Sequence, residues 1–263
     1  MQPNSILIEP SAGDGKFLDH FKIIFPDHKY QAYDIEINHP EVIKQDFLKL
    51  TKSDHRNYVV IGNPPFGHRA KLAINFVNHA TKFADIICFV VPIQFQRWSV
   101  QKQINPNYKL IYSSAPLAPQ SFLFQNRSYS VNCCLQIWIH QDHSHFRDWS
   151  NLRILKAPPN RHPDFQLWIH NNTKQTLKYF DQAKYQWDFA IVRQGYYNYH
   201  DRISNPNQLV ANRQYLFVKY LNPIAKQVFA KIDFEKLSYS NTTIRAYSNT
   251  DVIAAYQAIK DRL

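Results

Sequence analysis

The stretch that most constrains this chain is Tyr58-Val59-Val60 running into Ile61-Gly62-Asn63-Pro64-Pro65-Phe66-Gly67. An apolar run that stops at Asn-Pro-Pro reads as a buried strand ending in a stiff corner. Each proline holds φ near about −65° and has no N–H to donate, so the carbonyls around the corner stay free to accept. The Asn63 amide oxygen and the Pro64 carbonyl can then stand side by side with the Phe66 ring next to them. That is a cradle for a flat group carrying an NH2. A plain strand-to-loop turn uses the same residue types, so the tetrapeptide alone leaves both readings open.

What precedes the corner narrows the choice. Ser5-Ile6-Leu7-Ile8 is a short apolar run leading into Glu9-Pro10-Ser11-Ala12-Gly13-Asp14-Gly15, and Phe17, Leu18 and Phe21 follow at helical spacing. Strand, glycine turn and helix let a ligand's polar end approach the backbone near a helix N-terminus. The turn lacks the third glycine of the G-x-G-x-x-G fingerprint. Tyr30 to Glu36 reads as a second strand ending in acids, where a carboxylate is placed to accept from a ribose diol. Val42 to Leu48 reads as a third strand ending in Asp46-Phe47, an acid and an aromatic suited to the amine and face of an adenine. Further on, Lys71 to Lys82 has helical spacing, Ile86 to Pro92 reads as a fifth strand, Phe95 to Trp98 opens a helix, and Leu110–Tyr112 and Val131–Ile139 read as the last strands.

Composition sets the outer limits. The 263 residues are 44% hydrophobic and 15% aromatic, enough for a large core. There is no apolar run of about 18 residues; Ala84 to Ile93 is about half a membrane span. The N-terminus has no leader pattern, and three cysteines, Cys133 and Cys134 adjacent, make no disulfide framework, so a cytoplasmic setting is expected. The net charge of +11 is uneven: residues 1–150 hold 15 basic and 12 acidic residues, residues 151–263 hold 16 and 8. The second half therefore reads as a surface for a polyanion, nucleic acid first.

In this order and spacing, EPSAGDG, YDIE, QDF and NPPF resemble the S-adenosylmethionine-dependent DNA adenine-N6 methyltransferases over about residues 5–140. The resemblance implies an α/β fold: a Rossmann-like, mostly parallel seven-stranded methyltransferase sheet with a C-terminal basic module. It implies S-adenosylmethionine as cofactor, with Glu9, Pro10, Ser11, Ala12 and Gly13 lining its methionine end. Asp34 would hold the ribose (Glu36 is the weaker choice), Ile35 would lie beside it, and Asp46 and Phe47 would take the adenine. Asn63, Pro64, Pro65 and Phe66 would receive the target base, with Asn63 also bordering the cofactor and Phe124 closing the base's other side. The substrate implied is duplex DNA with a flipped adenine, as in restriction-modification systems; RNA adenine, protein glutamine or a weakly active recognition partner are the alternatives.

Residues 1–145 are expected to form the catalytic domain and 146–263 the recognition region. In that region Arg193-Gln194-Gly195-Tyr196-Tyr197-Asn198-Tyr199-His200-Asp201-Arg202 can offer phosphate contacts and stacking, so Arg193, Tyr196, Tyr197 and Arg202 are the candidate DNA contacts. A turn whose tyrosines pack back onto the module is the competing reading. The histidines of 140–145 match no closed zinc site, so no metal is expected. The family's lid helix before the first strand has no counterpart within Met1–Asn4. A partner subunit or homodimer is one source for it, and a displaced helix from Thr250 to Lys260, N-capped by Thr250, is another; simple packing of that helix on the second module is the third reading.

Overall fold

The computed structural model describes residues 4–52, 57–118, 122–124, 127–129, 131–239 and 244–263, the side chains of 123, 124 and 127–129 excepted. The chain divides into two compact units, Met1–Ala157 and Pro158–Leu263.

In the first unit the elements run β1 (Ile6–Glu9), α1 (Lys16–Ile24), β2 (Lys29–Asp34), β3 (Val42–Lys44), β4 (Tyr58–Gly62), α2 (Lys71–Ala80), β5 (Ile86–Pro92), α3 (Trp98–Gln101), β6 (Tyr108–Ser113), a hairpin of β7 (Phe122–Phe124) and β8 (Arg127–Tyr129), and β9 (Cys133–His140). Seven strands form one sheet in the order β3-β2-β1-β4-β5-β9-β6. The pairs from β3 to β5 are parallel, and β9 runs antiparallel to both neighbours. This is the Rossmann-like methyltransferase sheet expected from the sequence.

The apolar runs are continuous because both faces of the sheet are covered. Successive residues serve opposite faces: Ile8, Val60 and Ile87 pack with Ile74 and Val77 of α2, whereas Leu7, Val59 and Ile86 pack with Phe21 of α1. Two boundaries differ from the pattern reading. Pairing of β3 stops at Lys44, and Asp46 instead caps a single 3-10 turn, Phe47–Lys49, accepting from the Leu48 amide. The helix expected from Phe95 is a 3-10 turn at Ile93–Gln96 followed by the short α3.

Residues 146–157, expected to open the second module, are held within the first unit by two cations. Lys109 Nζ donates to the carbonyls of Phe146, Arg147 and Trp149, and the Arg153 guanidinium donates to those of Gln101, Ile104, Asn105 and Tyr108. The units divide after these anchors, in the proline-rich stretch.

The second unit contains β10 (Phe165–His170), α4 (Gln182–Tyr185), β11 (Phe189–Val192), β12 (Tyr215–Tyr220), α5 (Pro223–Lys231), α6 (Phe234–Ser238) and α7 (Asn249–Lys260). Its antiparallel sheet runs β10-β12-β11. Helix α7 starts earlier than expected and is capped by Ser248, not Thr250. The Ser248 hydroxyl takes the Asp251 amide while the Asp251 carboxylate takes the Ser248 amide, a capping box. Its apolar face is spent within its own unit: Val252, Ile253 and Tyr256 lie in one core with Phe165, Val228 and Phe229. Tyr256 Oη and Lys260 Nζ each reach Asp164 Oδ2 at 2.7 Å. The displaced-lid reading thus gives way to a terminal helix packed on the second unit.

Deleting residues 249–263 should therefore unfold the second unit, because it empties that core and leaves Asp164 buried without its cation. Limited proteolysis is the measure: residues 158–248 should become protease-sensitive, and a second unit that stays resistant would contradict the packing described.

Candidate active site

The site lies where the strand order reverses. β1 sits between β2 and β4, so connections leave to opposite sides there and a crevice opens outside the strand C-termini. The register Ile6↔Tyr58, Leu7↔Val59, Ile8↔Val60 brings the turn after β1 beside the corner after β4. Ser11 Oγ donates to the Asn63 carbonyl at 3.1 Å, tying the two directly. Gly62 is pressed against the same turn: a Cβ there would lie 3.0 Å from Pro10 Cδ.

Two cavities of about 400 Å³ each flank this junction and share Ser11 and Asn63 as a common wall. The first is lined by Pro10, Asp34, Ile35, Asp46, Phe47 and the Pro64-Pro65-Phe66 corner. The second is lined by Glu9, Ala12, Gly13, Val90, Leu117 and Phe122. A roomier cavity of about 560 Å³ opens beside Asp85, Tyr108 and His140. It lies at the opposite edge of the sheet, away from the strand C-termini where open α/β sheets bind ligands.

The glycine turn is laced to the end of β2. The Ala12 amide donates to the Tyr33 carbonyl at 2.9 Å and the Gly13 amide to Asp34 Oδ2 at 2.8 Å. Asp34 Oδ1 accepts from the Glu36 amide at 3.1 Å, and an ionised carboxylate has lone pairs left for a diol. Gly13 sits at φ +52°, and a Cβ there would meet nothing within 4 Å, so this wall of the cavity is open space. Ile35 is 66% exposed at the cavity mouth, an apolar side chain offered to a flat ring. Phe47 is different: its ring is buried, stacked on Phe76 at 5.2 Å and edge-on to His79. One face is thus already covered by core.

Among the described residues of this junction, two buried polar atoms have no partner, Asn63 Oδ1 and Glu9 Oε2. An unpartnered buried acceptor carries a desolvation cost of about 1–3 kcal/mol, which a ligand's donor would offset. The Glu9 carboxyl is pushed up to about 8, first by burial, with Asp14 and Asp34 adding repulsion and a Leu18 backbone hydrogen bond offsetting part of it. The residues present fit S-adenosylmethionine: Asp34 would take the ribose hydroxyls, Ile35 and Asp46 the adenine, and the Glu9 carboxyl with the open Gly13 wall the ammonium-bearing end.

At the Asn63–Phe66 corner Phe66 is half-buried, and its ring meets Phe122 edge-on at 6.4 Å between centroids. Phe122, which also lines the second cavity, is the partner that sequence reasoning passed over. The side chain of Phe124, chosen from sequence, lies outside the described residues. Among the described residues no three His, Cys, Asp or Glu side chains converge to hold a metal ion.

In the second unit the candidate nucleic-acid contacts separate. Tyr196 is 75% exposed, and Tyr197 carries the Arg213 guanidinium 4.8 Å over its ring. Gly195 is required there, at φ +107°, because a Cβ would lie 2.5 Å from the Tyr197 ring. Tyr199 is buried, its hydroxyl donating to the carbonyls of Gly195 and Arg245. Arg193 is held by Gln214 Oε1 at 2.9 Å. Arg202 is turned inward, donating to the carbonyls of Phe229 and Ile232 and lying over the Phe189 and Phe234 rings, so it braces the unit's core. Arg213 is a further cation the sequence did not single out; Arg245, 4.2 Å over the exposed Tyr239 ring, is ion-paired to Glu235 Oε1 at 3.2 Å.

The profile of the EDM2 methyltransferase-like domain matches residues 20–151. No curated protein sequence matches the chain. Among solved structures, the 23S rRNA methyltransferase ErmE is similar at 13% identity and a TM-score of 0.42, covering 54% of this chain and 64% of that one. TrmN from Thermus thermophilus follows at 12% and 0.38, covering 52% and 44%. An O-methyltransferase from a trans-AT PKS multienzyme of Brevibacillus brevis, in complex with S-adenosyl-L-homocysteine, matches at 10% and 0.37, covering 52% and 66%. The match thus spans less than two thirds of the length of each of these proteins.

Glu9 supplies a pH prediction. Its folded-state value lies above the ordinary 4.5, so its contribution to stability is full below about pH 4.5 and is lost as pH rises towards 8. Glu9→Gln, which cannot ionise, should stabilise the unliganded protein at pH 8 by roughly 1–3 kcal/mol and flatten the decline between pH 5 and 8. It should also weaken S-adenosylmethionine binding. Thermal melts across pH with calorimetric titration of the cofactor test both; a pH 8 midpoint no higher than wild type would refute the assignment.

Proposed function

This chain belongs to the EDM2 methyltransferase-like family, and from that premise we propose that it methylates the exocyclic N6 amine of an adenine flipped out of duplex DNA. Asn63 Oδ1 carries the reading: a buried acceptor without a partner, on the wall shared by the two cavities, beside the Phe66 ring. S-adenosylmethionine supplies a methyl group on a positively charged sulfur.

An adenine amine is a weak nucleophile because its lone pair is delocalised into the ring. The Asn63 oxygen and the Pro64 carbonyl accept its two hydrogens and favour a more tetrahedral nitrogen. With the methyl group that bound S-adenosylmethionine would supply, the amine nitrogen held by Asn63 and Pro64 would gain an N–CH3 bond as the S–CH3 bond is lost, the sulfur keeping its electron pair, and one N–H proton would pass to water. Asn63 accepts hydrogen bonds and takes no proton, since an amide is too weak a base. Catalysis is therefore positioning and electrostatics. The amine cannot be reached inside a duplex, so the base must leave the stack, with Phe66 and the neighbouring Phe122 as its aromatic surroundings.

A polyanionic substrate is supported by the charge of residues 151–263 and by the exposed Tyr196 and the Tyr197–Arg213 pair, which suit stacking and phosphate contact. Asn63→Ala should lower the rate of labelled methyl transfer by about 10²–10³-fold while cofactor affinity stays within about threefold. Phe66→Ala should be milder. Transfer to duplex DNA, structured RNA and protein is compared in the same assay. A fully active Asn63→Ala protein, or transfer to protein alone, would overturn the reading.

A further inference from the structure

We propose that the turn between the catalytic corner and α2 is a phosphate clamp, in which His68, Arg69 and Lys71 grip the nucleic-acid backbone next to the target nucleotide. The proposal rests on the reading that the cleft receives a nucleic-acid base, and it adds a gripping surface on the catalytic unit itself.

The turn is held in one shape from several sides. The Phe66 carbonyl accepts from the amides of Leu72 and Ala73 at 3.2 and 3.3 Å, capping α2. Gly67, at φ +67°, lies so close to Leu72 that a Cβ would stand 2.8 Å from the Leu72 Cβ. Arg69 and Ala70 are both left-handed without being glycine, at φ 52° and 62°. Each such residue costs about 1–2 kcal/mol. Ala70 is buried in the core that Phe66 and Leu72 pack against.

That geometry sorts the side chains. Phe66, Ala70 and Leu72 face the core, while His68, Arg69 and Lys71 are exposed. Among the described residues none of these three side chains makes a hydrogen bond or ion pair, although several other basic side chains of the unit do, including Lys109 and Arg153. The first turn of α2 contains no acid, so two fixed cations stand at the positive end of a helix with no carboxylate of that turn to offset them. The first helix amides are already bonded to Phe66, so the side chains make the contact and the helix end does not.

Position selects the ligand. Three residues separate Phe66 from Arg69, at most about 11 Å of chain. A nucleotide whose base meets Phe66 therefore carries its own phosphates within reach of an arginine side chain. A clamp here would hold the strand from which the base is drawn, whatever its sequence, because phosphate contacts position and base contacts specify.

The test uses single-turnover methyl transfer to adenine-containing duplex DNA between about 50 and 200 mM salt. For the full-length Arg69→Gln/Lys71→Gln protein, half-saturation should rise at least about tenfold. The slope of log affinity against log salt should become shallower by about two, one for each lost phosphate contact. Cofactor affinity and the rate at saturating DNA should stay within about threefold. Arg69→Gln and Lys71→Gln alone should each remove about one unit of slope, and Arg69→Lys/Lys71→Arg should restore wild-type behaviour. Unchanged slope and half-saturation in the double variant would overturn the clamp while leaving the methylation reading intact. Wild-type protein that modifies protein but neither DNA nor RNA would remove the reading itself, and the clamp with it.

Discussion

Everything at this site depends on the parallel pairing of β1 with β4. Neither strand carries functional chemistry within its paired residues; both are plain apolar runs that must be covered on two faces. Lined up in register, they deliver Glu9–Gly15 and Asn63–Phe66 to the same edge of the sheet. The observed register, Leu7 opposite Val59 and Ile8 opposite Val60, is what sets that alignment. The Ser11–Asn63 bond then fixes at short range what the sheet sets at long range.

The cleft concentrates costly features. Glu9 is buried among other acids, and Asn63 Oδ1 is buried with no donor. Just beyond, two residues hold left-handed backbone. Such features persist only where the surrounding structure over-determines them. Here the surroundings are the seven-stranded core, the capped start of α2 and the Pro10–Gly62 contact.

Basic residues serve opposite ends in this protein, and composition cannot separate them. Lys109, Arg153 and Arg202 spend their charge on backbone carbonyls that would otherwise be left unsatisfied. Arg213 lies over the Tyr197 ring, and the Arg69 and Lys71 side chains are exposed just after Phe66. A net charge counts all of them alike. Only the second and third groups can meet a polyanion.

Pattern placed most strands of the first unit, because a buried parallel strand needs an unbroken apolar run and a βα turn needs its glycine; the seven-stranded sheet joining them came from the motif resemblance. The motifs EPSAGDG, YDIE, QDF and NPPF were legible for the same reason: each is a local solution to a local geometric demand. The tertiary structure decided what depends on distant chain. It turned Arg202 inward, set Phe122 beside Phe66, half-covered Phe47 with Phe76, and kept residues 146–157 with the first unit through Lys109 and Arg153. It also spent the apolar face of α7 within the second unit's core. An arginine or a phenylalanine reads the same in sequence whether it meets solvent, a ligand or a carbonyl fifty residues away, and only the packed chain says which.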